Sequence, residues 1–222
     1  MTRREINPYP PRMRWIIRTL AVLSVVSWIV VAGLFARPVV SSSDTRVPPL
    51  PESLVIAKSL PFDWSRRVLA GAPAVFPGAG RDRTEIVVPI VERYARRFHV
   101  DPLVVLAVIQ VESRFDPNAV SAQGAIGLMQ LQGLTARDLA MDLGLEWTGD
   151  DLLFDPDVNV LLGCAYLRRL MDRFGDQDAA LAAYCSGPTF VEARRDANGR
   201  IPLAYSDRVW DVLTALQAKV AA

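Results

Sequence analysis

Between residues 84 and 98 apolar side chains recur at helical spacing: Ile86, Val87, Ile90, Val91, Tyr94, Ala95 and Phe98. That pattern predicts an amphipathic helix with one stripe facing a core. Pro89 inside it predicts a kink or a later start, and His99 falls where the chain leaves the helix. Asp101-Pro102 then offers an N-cap and a first-turn proline. The following run, residues 103–109, is apolar nearly all round, as in a central helix, and its end delivers Glu112. Pro117, Gly124, Gly127 and Gly133 interrupt the period and predict an irregular loop or short hairpin over 115–133. Helical patterns resume at about 134–142, 156–174, 177–185 and 204–220, with Gly144 and Gly175 as stops and Asp155-Pro156 as a start. Residues 84–222 are therefore expected to form a mainly α domain with one long loop of the kind that carries function.

The preceding chain is patterned differently. Residues 19–36 carry no charge and are bracketed by Arg18 and Arg37. At about 1.5 Å rise per residue, such a run nearly crosses a hydrocarbon core, which predicts a single transmembrane helix. A cleavable signal peptide is the rival, but its apolar region usually runs about 7–15 residues before a small-x-small site, and Leu34-Phe35-Ala36 is a poor one. Five arginines precede the run, and only Arg37 and Arg46 follow it closely. This bias keeps residues 1–18 in the cytoplasm and exports the rest, predicting an inner-membrane anchor with the domain in the periplasm. Over 37–83, Ser41-Ser42-Ser43, Pro48-Pro49, Pro51, Pro61, Pro73 and Pro77-Gly78 predict a linker. Two apolar stretches in it, 54–60 and 64–69, are able to dock on the domain.

Composition narrows the chemistry. The chain is 222 residues with formal net charge +1, but six arginines against Glu5 give residues 1–37 a net +5 and leave −4 for the remainder. A mildly acidic body lacks the basic face that nucleic acid demands. Cys164, Cys185 and His99 have no paired spacing of the zinc-site kind, so neither a metal nor another cofactor is expected.

Several separated motifs then fall in one order. They are Glu112-Ser113 with Phe115 and Pro117; Ser121; Gly124-Ala125 with Gly127-Leu128-Met129-Gln130; Asn159 with Gly163 and Tyr166-Leu167; Ala182-Ala183-Tyr184 with Gly187-Pro188; and Pro202 with Tyr205 to Val209. Together, over roughly residues 84–213, they resemble the catalytic domain of the soluble-lytic-transglycosylase (SLT) family, lysozyme-like enzymes acting on bacterial peptidoglycan.

The resemblance implies a lysozyme-like helical fold and cleavage of the β-1,4 bond between N-acetylmuramic acid and N-acetylglucosamine, without water, leaving 1,6-anhydromuramoyl ends. It assigns Glu112 as the catalytic acid and then base, its pKa raised by burial beside Val108, Ile109 and Met129. Ser121, Gln130, Tyr184 and Gln132 would contact the glycan strand, while Gly124 and Gly127 let the loop backbone approach it. Asn159 and Tyr166 would support the helices beneath, and Asp116, followed by proline, would shape a turn. Two departures stand out: Cys185 replaces the family's usual asparagine after Tyr184, and Gln132-Gly133 replaces the usual Met-Pro. Two cysteines in an exported body agree in number with one disulfide, Cys164–Cys185. In the resembled fold the helix carrying Gly163 packs near the turn of Tyr184, which makes that pairing plausible. A goose-lysozyme-like hydrolase and a non-catalytic wall-binding or assembly protein are the alternatives. Enzymes of this size also serve envelope-spanning machines, but the sequence names no such partner.

Overall fold

The computed structural model describes residues 63–196 and 200–221, all within one compact unit. The anchor expected at 19–36 and the first part of the expected linker lie outside the described residues. Among the described residues no helix is long and apolar enough to cross a membrane.

In chain order the helices are α1 (Trp64–Val75), α2 (Arg81–Phe98), α3 (Pro102–Glu112), α4 (Gly133–Asp142), α5 (Pro156–Phe174), α6 (Gln177–Ser186), α7 (Pro188–Asp196) and α8 (Ala204–Ala221), with a 3-10 turn at Asp150–Phe154. The described residues contain no strand, only isolated bridges pairing Val120 with Ile126 and Ile126 with Leu131 in the long loop. The mainly α expectation therefore holds, with the loop tied by bridges rather than by a full hairpin.

Local chemistry accounts for most helix ends. Asp101 accepts a hydrogen bond from the Leu103 N–H at 2.8 Å, with Pro102 opening α3. Asp155 does the same for α5 through Asp157 and Val158, and Asp176 caps α6 through Ala179. Each cap answers a backbone donor that the first helical turn leaves unpaired. His99 closes α2 in the left-handed region at φ 53°, as expected for a helix-ending residue. Pro89 neither delays nor ends α2, which runs from Arg81. Its ring lies on the exposed side, where water can satisfy the carbonyl that loses its partner.

The helix predicted to be central is so. Residues 103–110 of α3 are all buried, and α3 packs against α2 and α8. Burying side chains such as Leu106 and Ile109 contributes roughly 1.5–3 kcal/mol each. The α5 helix lies against α2, α4 and α6. A smaller cluster under α4, with Leu131, Leu139, Leu153 and Leu162, anchors the far end of the loop.

Within the expected 37–83 linker, the apolar stretch at 64–69 does dock: it belongs to α1, which buries Trp64, Val68, Ala72 and Val75 and packs on α2 and α8. Helix α7 follows α6 directly, with Gly187 at φ 88° turning the chain and Pro188 opening the new helix.

Candidate active site

Glu112 is the last residue of α3, and the chain turns sharply behind it. Arg114 and Phe115 take left-handed backbone conformations at φ 53° and 62°, unusual for two successive non-glycine residues. Ser113 is buried and its hydroxyl donates to the Leu128 carbonyl at 2.8 Å, tying this turn to the loop. The Glu112 side chain is half-buried, and its Oε1 accepts a hydrogen bond from the Tyr205 hydroxyl of α8 at 2.6 Å.

Burial is the largest influence on Glu112 and holds its pKa above the usual glutamate value. The Tyr205 hydrogen bond and the Arg208 charge pull the other way. A carboxyl under these opposed influences retains its proton further towards neutrality, yet has a donor ready for the carboxylate. Burial and the neighbouring Glu112 push the Tyr205 phenol well above its ordinary range, so Tyr205 stays protonated and donates. Among the described residues, no second carboxylate is one of the groups that shift Glu112. Asp116 is engaged elsewhere, accepting from the Asn118 N–H at 3.3 Å and lying 3.4 Å from the Arg83 guanidinium. It shapes the turn, as its place before Pro117 implies.

Tyr184 lies beside the acid. Glu112 contributes to raising its phenol pKa, after burial, and the Tyr184 hydroxyl donates to the Met129 carbonyl at 2.7 Å. The rings of Tyr166, Tyr184 and Tyr205 form a row, with centroids 5.4 Å and then 6.4 Å apart. Tyr205 is the residue that sequence reasoning missed: it was legible only as part of a terminal motif, with nothing local to mark its reach back to Glu112 across 93 residues.

The loop is held by polar groups. Asn159 of α5 is fully buried; its Oδ1 accepts from the Met129 N–H at 2.8 Å, and its Nδ2 donates to the Ile126 and Leu153 carbonyls at 2.9 Å each. Gly127, at φ 81°, fits against this amide so closely that an added Cβ would lie 2.2 Å from Asn159 Nδ2 and 2.3 Å from the Leu153 carbonyl oxygen. Its smallness thus serves the contact with Asn159 of α5. Gly163 likewise leaves room for the Met129 sulfur.

The remaining predicted contact residues lie along the loop. Ser121 is half-buried and its hydroxyl accepts from the Ala125 N–H at 3.0 Å. Gln130, at φ 47°, donates from Nε2 to the Ala119 and Gly127 carbonyls, so its amide stitches the loop. Gln132 is exposed at the start of α4. Beside it, a Cβ on Gly133 would overlap the Asp150 carboxylate, at 2.2 Å from Oδ2. That carboxylate occupies the space a proline ring would need, which gives the Gln-Gly departure a physical reason.

The expected disulfide is not formed: Cys164 and Cys185 are both free thiols. Cys164 is fully buried in the main core, whereas Cys185 is exposed. Tyr184 takes the inward position at this level of α6, and the next residue is rotated by about 100° away from it. Burial pushes the Cys185 thiol up, and the Glu112 charge adds to that. Among the described residues no group of His, Cys, Asp or Glu could hold a metal ion.

The comparisons with known proteins agree with this arrangement. The chain is 33% identical over 149 residues to "Membrane-bound lytic murein transglycosylase C" of Histophilus somni, covering 60% of this chain and 41% of that protein. It is 40% identical over 91 residues to a "Transglycosylase" of Enterobacteria phage PRD1, covering 41% and 31% respectively. The chain thus spans well under two thirds of either relative. Among solved structures, the 70 kDa soluble lytic transglycosylase SLT70 from Escherichia coli shares the fold, with TM-score 0.52 and 21% identity over 71% of this chain and 29% of that one. The model of the family described as "Transglycosylase SLT domain" matches residues 89–202. That match takes in α3, the loop, α5 and α6, just over half of the sequence, and the chain belongs to the transglycosylase SLT domain family.

Proposed function

We propose that this protein is a peptidoglycan lytic transglycosylase in which Glu112 is the one carboxyl group doing the proton transfers. The observation that carries the reading is the Glu112–Tyr205 pair at the end of α3: a half-buried carboxyl with a raised pKa, a phenol donating to it at 2.6 Å, and, among the described residues, no second carboxylate shifting it. Hydrolytic glycosidases usually need a pair, one acid and one nucleophile or base, unless the substrate's own N-acetyl group replaces the second. Here Glu112 gives its proton to the glycosidic oxygen as the bond to muramoyl C1 breaks, the N-acetyl oxygen stabilising the developing positive charge. The Glu112 carboxylate then takes the proton of the C6 hydroxyl, and O6 bonds to C1. The anhydro ring closes, no water is consumed, and Glu112 ends protonated for the next turnover. Tyr205, which favours the carboxylate form, eases release of the proton in the first step and holds the resulting carboxylate in place for the second.

Ser121, Gln130, Gln132 and the rim of Tyr184 form the wall along which the glycan strand would lie. The charge-free run at 19–36 and the arginine bias before it support a single inner-membrane anchor, with the catalytic domain in the periplasm. Mass analysis of products from peptidoglycan incubated with the protein tests the reaction. Anhydromuramoyl ends support it, reducing ends indicate a hydrolase, and no products indicate a binding protein.

A further inference from the structure

The family match begins at residue 89, yet the acid-bearing turn is packed against chain that comes before it. Phe76, just past α1, is buried and its ring lies 4.6 Å from that of the fully buried Phe115, at an interplanar angle of 52°. Gln110, two residues before Glu112, is buried and donates from Nε2 to the Pro77 carbonyl at 3.3 Å. Gly78 sits against the Arg114 side chain, 4.0 Å from where its Cβ would be, and Arg83 lies 3.4 Å from Asp116. Residues 110, 114, 115 and 116 flank Glu112 on both sides, and each touches the segment 76–83.

Helix α1, just before that segment, packs on the far end of the helix that carries Tyr205. Arg67 of α1 donates from Nη1 to the Val220 carbonyl at the end of α8, at 3.0 Å. The Lys219 side chain of α8 lies over Gly71, with its Cδ 3.2 Å from where a Cβ would be. Thus one element holds both the turn behind Glu112 and the helix carrying Tyr205.

We infer that residues 64–83, centred on Phe76, are a positioning element of the active site, setting the Glu112–Tyr205 geometry and keeping water from the acid. Left-handed backbone at two successive non-glycine residues persists only where the surroundings over-determine it, and the Phe76–Phe115 contact supplies that constraint from outside the family region. Without Phe76, Phe115 loses its cover and the turn relaxes, so the carboxyl shifts relative to a bound glycan and gains hydration. An error near 1 Å in such a group costs up to about 100-fold in rate.

The inference rests on Glu112 being the acid, and its test uses the full chain. In Phe76→Ala, kcat on purified glycan strands should fall about 10- to 100-fold with KM changed less than about threefold. The descending limb of the pH profile should move to lower pH, since a better-hydrated Glu112 loses its proton earlier. Groups facing Glu112 from the neighbouring helices are Tyr205 and Arg208 on α8 and Tyr184 and Cys185 on α6, and all are intact in this variant. Phe76→Leu should recover most of the rate and the limb. Leu170→Ala, a buried change near the C-terminal end of α5, eleven residues beyond Asn159, is the destabilising control and should alter neither. If Phe76→Ala does not fold, Phe76→Val is compared in the same way, with a smaller expected loss. An unchanged kcat and pH limb in the Phe76 variant, or the same changes in Leu170→Ala, would overturn the positioning role. Activity retained in Glu112→Gln would instead overturn the assignment of the acid on which it rests.

Discussion

The loop at 115–132 and the acid-bearing turn beside it are held by different physics. The loop is laid on α5 through hydrogen bonds from one buried amide, Asn159, with Gly127 and Gly163 small enough to let the surfaces close. The turn is held by aromatic packing, Phe76 against Phe115, and by a hydroxyl arriving from α8. Hydrogen bonding demands particular side chains at particular positions, so the loop leaves a motif in the sequence. Packing demands only apolar volume, which many residues supply, so Phe76 and its helix, outside the family match, leave no motif, although Phe115 and Tyr205 fall within the motifs themselves.

The comparison sharpens first at the acid. Glu112→Gln should lower turnover by about 10²- to 10⁴-fold with the fold retained, because the amide is nearly isosteric but has no proton to donate. Burial raises the pKa of Glu112 in the folded state, so its contribution to stability is fullest below the unfolded pKa and is lost as pH rises through the folded one. The glutamine variant should therefore be no less stable than the parent at neutral pH in denaturant titrations. A folded variant keeping more than about a hundredth of the parent's activity contradicts the assignment.

Asn159→Ala attacks the loop side. It leaves the Met129 N–H and the Ile126 and Leu153 carbonyls without their partner, at about 1–3 kcal/mol for each group that stays buried and unpaired. A loss of at least about 2 kcal/mol in urea unfolding is expected, with activity falling because the wall moves. A change below about 0.5 kcal/mol would mean that the amide does not organise the loop.

Tyr205→Phe acts on the acid without touching the loop. Removing a donor that favours the carboxylate lets burial raise the Glu112 pKa further, so the descending limb of the pH profile should shift to higher pH. Lost stability should be about 1–2 kcal/mol. A limb that moves to lower pH contradicts the pairing. The smallest effect concerns the thiols. In the folded, unreduced protein a small thiol reagent should label Cys185 and leave the buried Cys164 untouched, while the unfolded, unreduced chain should show both. Absence of free thiols after unfolding would restore the disulfide.

Much of this molecule follows from the chain alone, and the reason is local. Asp101-Pro102, Asp155-Pro156 and Asp176 cap helices by reaching donors two or three residues away, so their effect is legible wherever they occur. The apolar run of α3 marks a central helix because no other placement keeps all its faces from water. The order of motifs around Glu112, Gly127 and Tyr184 marked the family region and the candidate acid. Tertiary structure decided the rest. The apolar stretch at 64–69 marked a segment able to dock, but that Trp64 to Val75 forms a helix against α2 and α8 depends on surfaces that no local pattern records. Tyr205 meets Glu112 only because α8 packs along α3, and Cys185 turns from Cys164 because helical phase gives the inward position to Tyr184. Spacing along a chain specifies which residues share a helix face; which face meets which is settled only when the helices pack.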